Sequence, residues 1–347
     1  MTNGTGRSGP WAPAVRWGVA VLVSLAVLAA IRLGLSGAAG PGVPMPHARL
    51  TIAVPSTPHA ALLHIAAAEG HFVAEGLDVT FKRVTHGKAA LDLVLAGEAD
   101  LATAAEVPFV IAVLKGERLG VAASVASASE EMAVVARHDR GIAGPRDLTG
   151  KRVGVSLGTS GEYFLWAFLI RNRLPPGAIT WVDVPPRRIV EELTEGGVDA
   201  IATWEPLRAG AMAALGNNGA LFPEGDAYTV THLVVGRIEW MQAQPETMAR
   251  LVRALLRAEG MVHADPGRAR AVLAAALDLP LERLAPVWGG LTLRVDLRQS
   301  QLVTLEDESR WAMARGHAPA GPLPDFLRQL HLDTLLAVAP DRVTVVR

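Results

Sequence analysis

The chain contains no cysteine, which excludes disulfides, thiolate metal sites, a cysteine nucleophile and the lipid-bearing cysteine of bacterial lipoproteins. Aromatic residues make up only 5% of it, too few for a cage of stacked rings around a ligand. Neither sign of charge dominates. The 33 Lys and Arg against 34 Asp and Glu give a formal net charge of −1, so no broad basic face is offered to nucleic acid. No set of His and carboxylates stands at metal-ligand spacing, and no nucleophile is paired with a base, so no catalytic residue, metal or cofactor is expected.

What is present is length and apolar character: 347 residues, half of them hydrophobic, have room for two domains of ordinary size. The amino terminus is set apart. Arg7 and Arg16 precede the uncharged run "WGVAVLVSLAVLAAI", which ends at Arg32 and gives way to a small, proline-bearing stretch. Residues 1–16 read as a cytoplasmic end, 17–35 as a signal peptide or membrane anchor, and 36–48 as a linker. The small residues Ser36 to Ala39 form no sharp cleavage site, which favours a retained anchor. In either case the body of the chain is expected on the extracytoplasmic face of the membrane, in the periplasm or anchored beside it.

That body repeats itself. "GEADLATAAEVP" (Gly97 to Pro108) and "GGVDAIATWEP" (Gly196 to Pro206) share a glycine, an aspartate, a run of small or apolar positions, and Glu followed closely by Pro. Each closes a strand, helix, strand, helix, strand series. "RLTIAVPS" begins the first, with "TPHAALLHIAAAEG" as its helix, and "KRVGVS" begins the second, with "GEYFLWAFLIRNRL" after the turn "LGTS". The pattern predicts an α/β fold of two lobes, each a parallel β-α-β sheet, joined by a two-strand hinge. Lobe I is expected over 49–137 and 231–347, lobe II over 138–230, with only helices after Arg237. Asp100 and Asp199, between a helix end and a buried strand, read as turn-forming structural residues.

Four phrases in this order, "AAAEGHFVAEGLDVTF", "LAGEADLATAA", "DLTGKRVGVSLGTSGEYFL" and "GGVDAIATWEP", resemble the sulfonate, nitrate, taurine and thiamine-precursor branch of the extracytoplasmic substrate-binding proteins of ABC transporters. The resemblance implies a periplasmic-binding-protein-like fold of type II, a monomer, that captures a small solute in its interlobe cleft. An ABC permease and its ATPase would be its partners, and the membrane a further one through the N-terminal segment. A membrane-anchored sensor acting on a signalling partner would present much the same sequence.

Parallel sheets of this kind bind ligands at the carboxyl ends of their strands. The candidates there are Ser56, Thr57 and His59 after the first strand, and Thr103, Ala104 and Ala105 at the end of the third. In the second lobe Gly158, Thr159 and Ser160 open a helix whose unpaired N–H groups favour an anion. Thr159 and Glu162 also have the spacing of a capping box, which would occupy the hydroxyl. Trp204 is expected as a wall of the cleft. Glu205 either caps a helix or accepts from a ligand amine; with Thr159 it would suit a zwitterion or an amine-bearing anion.

Overall fold

A computed structural model describes residues 1–4, 6, 47–223 and 228–346. The chain divides into two compact units, Met1–Pro46 and His47–Arg347. The proposed signal or anchor at 17–35, and all but the end of the linker, lie outside the described residues. Among the described residues no helix is long and apolar enough to cross a membrane.

The unit His47–Arg347 is built on two sheets. Its strands are β1 (Ala48–Pro55), β2 (Leu77–Val84), β3 (Leu101–Ala105), β4 (Leu119–Ala128), β5 (Ala133–Arg137), β6 (Arg152–Val155), β7 (Thr180–Asp183), β8 (Ala200–Thr203), β9 (Gly219–Pro223), β10 (Val230–Arg237) and β11 (Leu291–Asp296). The first sheet runs β11-β4-β10-β3-β1-β2 and the second β7-β6-β8-β5-β9. In each, three strands in the order third, first, second are parallel, and the next neighbour is antiparallel: β10 beside β3, and β5 beside β8. The apolar runs explain this. β4, "LGVAASVASA", is buried almost throughout, as a strand covered on both faces must be. Leu50, Ile52 and Val54 of β1 pack with Leu62 and Ile65 of the helix Ala61–Ala68 in the first core. Val153 and Val155 pack with Phe164 and Phe168 of the helix Ser160–Arg171 in the second.

The repeated aspartates perform the same task twice. Asp100 accepts from the Thr51 N–H at 2.7 Å, and its own N–H donates to the Thr51 carbonyl. Asp199 accepts from the Arg152 N–H at 2.8 Å, and its N–H donates to the Arg152 carbonyl. Each carboxylate thus ties the start of the third strand of its sheet to the first.

Two features depart from the sequence reading. β5 was expected to close lobe I, but it pairs with β8 and β9, so the chain crosses to the second sheet before Ala133. Its apolar sequence fits either sheet, and only its antiparallel partners decide. The segment after Arg237 is not purely helical: β11 adds an edge strand against β4. Nor does that tail serve one lobe alone. Beyond the helix Gln299–Ala314, His317 Nε2 lies 2.8 Å from Glu162 in the helix Ser160–Arg171, and the Arg315 guanidinium sits 4.2 Å above the Trp181 ring.

The aspartate ties set an expectation for stability. Asp100→Ala leaves the Thr51 N–H without its carboxylate and lowers the unfolding free energy by about 1–3 kcal/mol. Asp78→Ala on exposed β2 stays within about 0.5 kcal/mol of the parent. Urea unfolding followed by circular dichroism checks both.

Candidate solute-binding site

The carboxyl ends of the parallel strands face a cavity of about 50 Å³. From the first sheet come Pro55, Thr57 and His59 after β1, Ala105 at the end of β3, and His86, Gly87 and Lys88 after β2. From the second come Thr159 and Ser160 after β6, and Trp204 after β8. The connection from β4 to β5 supplies Glu131 and Met132, and the start of β10 supplies Val230 and His232. A space this size takes a solute of a few heavy atoms.

Two helices begin at this cavity. One is Ser160–Arg171, with Thr159 as N-cap: the Thr159 hydroxyl accepts from the Gly161 N–H at 3.2 Å and donates to the Ser156 carbonyl at 2.7 Å. Glu162 accepts from the Gly158 N–H at 2.8 Å. The other is Gly87–Leu95, with His86 as N-cap and no side-chain cap bond. Glycine is needed at its start, because a Cβ at Gly87 would stand 2.8 Å from the Ala104 Cα on β3. Helix amino termini carry partial positive charge and unpaired N–H groups. Lys88 adds a full charge at the same mouth, its nearest carboxylate, Asp92, being a loose 3.4 Å away. The arrangement favours an anion.

Of the residues singled out from the sequence, Thr57, His59, Ala105, Thr159, Ser160 and Trp204 line this cavity. Ser56 and Gly158 line the hollows on either side of it. Thr103 and Ala104 are buried within β3 and do not line it. Glu205 does not line it either. Its Oε1 accepts from the Arg208 Nε at 2.6 Å and its Oε2 from the Ala209 N–H at 3.1 Å, so the carboxylate is taken up by its own helix turn. Sequence reasoning passed over His86, Lys88, Glu131 and His232. The signal for Lys88 was "HGK" opening a helical run; none marked Glu131 or His232, which meet His59 only through the fold.

Those three residues form a buried polar cluster. His59 Nδ1 is 3.3 Å from the Thr57 hydroxyl, its Nε2 is in ion-pair contact with Glu131 Oε2, and its ring stacks on His232 at 4.4 Å between centroids. His232 Nε2 lies 3.8 Å from Glu131 Oε1. Burial pushes the Glu131 carboxyl up, but the His59 charge and the nearness of both imidazoles outweigh it and hold the pKa at about 2. Burial, and then the His59 charge, lower that of His232.

A second cluster lies behind the cavity wall. Tyr228 Oη is 3.0 Å from Glu106 Oε2 and 2.9 Å from Glu308 Oε1, while Glu106 Oε1 accepts from the Thr231 N–H. One phenol proton cannot serve two carboxylates, so one carboxyl must itself be protonated and donate to the phenol oxygen. Burial, only partly offset by its hydrogen bonds, raises Glu106 to about 8, and burial with the Glu106 charge raises Glu308 well above the usual range.

The fold is that of the periplasmic binding proteins. The structure of the alkanesulfonate-binding protein SsuA from Xanthomonas axonopodis pv. citri bound to MOPS superposes with a TM-score of 0.71 at 18% identity, covering 82% of this chain and 99% of that one. The chain belongs to the NMT1/THI5-like family, whose profile matches residues 57–269, more than half of its length. The taurine-binding periplasmic protein of Escherichia coli (strain K12) is 23% identical over 209 residues, 58% of this chain and 63% of that protein. A protein of Brucella abortus (strain 2308) described as a candidate binding protein is 27% identical over 126 residues, 35% of this chain. That match spans only 39% of the Brucella protein, so the chain aligns with less than two thirds of either relative.

The Glu106 pKa carries a sign. A group whose pKa is raised by folding contributes stability that is complete below its unfolded value, near 4.5, and lost as pH climbs through its folded value of about 8. Glu106→Gln keeps an acceptor for Thr231 and a donor for Tyr228 without the charge. Its melting temperature relative to wild type therefore rises steadily between pH 5 and pH 8.5, as differential scanning calorimetry at matched ionic strength will show; a constant difference would mean that the buried pair is not protonated.

Proposed function

We propose that the chain is an extracytoplasmic solute-binding protein that captures a small anion, of the sulfonate, nitrate or carboxylate class, between its two sheets and hands it to an ABC permease. The observation that carries this is the convergence of two helix amino termini, one from each sheet, with Lys88 on a single small cavity. Each sheet contributes half of the anion's donors, so the ligand is held fully only when both are in place. The segment between β4 and β5 carries the chain from the first sheet to the second and is a place about which the sheets would close. The taurine-binding relative supports the solute class, and the charged-then-apolar amino terminus supports export and a location at or near the membrane.

Glu205 is spent on its own helix, so a ligand amine finds no partner there, and plain anions are favoured over the zwitterion first expected. Lys88 takes the place of Glu205 as the specificity-bearing charge. The reading is of a binding protein, as the NMT1/THI5-like family and the taurine-binding relative support.

Two outcomes check the proposal on the fragment His47–Arg347. A screen of nitrate, taurine, alkanesulfonates and small carboxylates raises its melting temperature for at least one of them, since a ligand at a hundred times its Kd adds about 2.7 kcal/mol. Calorimetric titration then shows Lys88→Met weakening that anion by about 1.5–3 kcal/mol and Thr159→Val by about 0.5–1.5 kcal/mol, while Glu205→Gln leaves it unchanged. A melt unmoved by every anion would sink the proposal.

A further inference from the structure

We infer that the cavity is also a binding site for a first-row divalent transition-metal ion, held by His59 Nε2, a Glu131 carboxylate oxygen and His232 Nε2. Nothing in the anion-binding proposal requires this, and the donors are atoms of the chain itself.

Each of the three residues has a ligand atom within 4.8 Å of the other two. One donor atom is left over: His59 Nε2 and Glu131 Oε2 are in ion-pair contact with each other, while the buried His232 Nε2 has no hydrogen-bond partner and lies 3.8 Å from Glu131 Oε1. Folded proteins rarely leave such an atom unsatisfied, and His232 Nε2 is accounted for if an ion sits among it, His59 and Glu131. An ion pair between His59 and Glu131 alone leaves His232 Nε2 without a role.

The surroundings match what a metal site needs. The far nitrogen of His59 is 3.3 Å from the Thr57 hydroxyl, an outer contact of the sort that fixes a ligating imidazole. Two imidazoles and one carboxylate suit Zn²⁺, Co²⁺, Ni²⁺, Cu²⁺ or Fe²⁺, whereas Mg²⁺ and Ca²⁺ prefer sets made wholly of oxygen. With three protein donors, a four- to six-coordinate ion keeps about one to three positions for water or solute. Those positions belong to the cavity that Lys88, Thr159 and Ser160 line, so an anion there would ligate the ion and meet the helix amino terminus together.

The placement has a mechanical consequence. His59 follows β1 in the first sheet, Glu131 lies in the connection from β4 to β5, and His232 stands near the start of β10, just after the return crossing. An ion bound by all three braces the connection from β4 to β5 against the first sheet.

The test uses the full chain in detergent, prepared without a histidine tag, stripped with chelator and dialysed. Titration with Co²⁺ is read by visible ligand-field absorption, and with Zn²⁺ by calorimetry. One equivalent of each is expected per chain, Zn²⁺ displacing Co²⁺. His232→Asn and Glu131→Gln should each weaken binding by at least about 100-fold, beyond the 10- to 100-fold usual for outer contacts, and Thr57→Val by about tenfold. Circular dichroism and melting of each variant report folding; should His232→Asn fail to fold, His59→Asn serves in its place. Absence of a bound equivalent in folded wild type, or binding undiminished in these variants, overturns the site. A metal-free protein whose melt rises with nitrate or taurine but that takes up no ion refutes the metal and leaves solute capture intact. Uptake of the ion with no response to any anion does the reverse.

Discussion

Where the chain passes between its sheets it must bury charge, and the way that charge is satisfied governs the rest. Glu131 lies in one crossing, and Tyr228 and His232 flank the start of the strand that follows the other. Buried carboxylates are costly unless paired or protonated. Both solutions occur here: Glu131 is held as an anion by two imidazoles, and Glu106 shares a proton with Glu308 through Tyr228. Because Glu106 also accepts from the Thr231 backbone, the two clusters are joined through adjacent residues of one strand, and the cavity wall is fixed by hydrogen bonds rather than by apolar packing alone.

Around that polar centre the two sheets repeat one design. A strand ends, the chain turns, and a helix begins with its amino terminus toward the space between the sheets; a carboxylate at the third strand ties it to the first. The duplication accounts for how an anion receives donors from both sides. The sheets differ where the function would ask it: Arg187, the counterpart of Lys88 after β7, lines the neighbouring hollow and not the cavity itself, and Trp204 stands where the first sheet offers only Ala105. The tail that runs past the helix Gln299–Ala314 then holds Glu162 through His317 and Arg315, a further tie to the helix Ser160–Arg171 of the second sheet.

Much of this was legible in the sequence, for a physical reason. The period of apolar residues, the glycines that stop helices and the repeated aspartates are local signals, and they placed the parallel strands, the helix starts and the residues Thr57, His59, Thr159 and Trp204 at the cleft. The misplaced elements are those whose identity depends on partners far along the chain. β5 is apolar enough for either sheet, and β11 is an edge strand in a stretch of helices. Glu131 follows the exposed Glu130 in what reads as a solvated turn, and His232 interrupts an apolar strand; neither advertises a ligand until the fold brings both to His59. For Glu205 the sequence left two roles open, since a carboxylate at a helix start is as well suited to Ala209 as to a ligand, and the fold gives it the first.

The central claim is that the cavity between the sheets carries a small anion, and native mass spectrometry of the protein as purified from cells tests it most directly. The account predicts a single low-mass anionic adduct that is released on collisional heating and is lost in a Lys88→Met, Thr159→Val double variant that still folds. A folded protein that shows no adduct, and gains none after incubation with nitrate, taurine and alkanesulfonates, would contradict it.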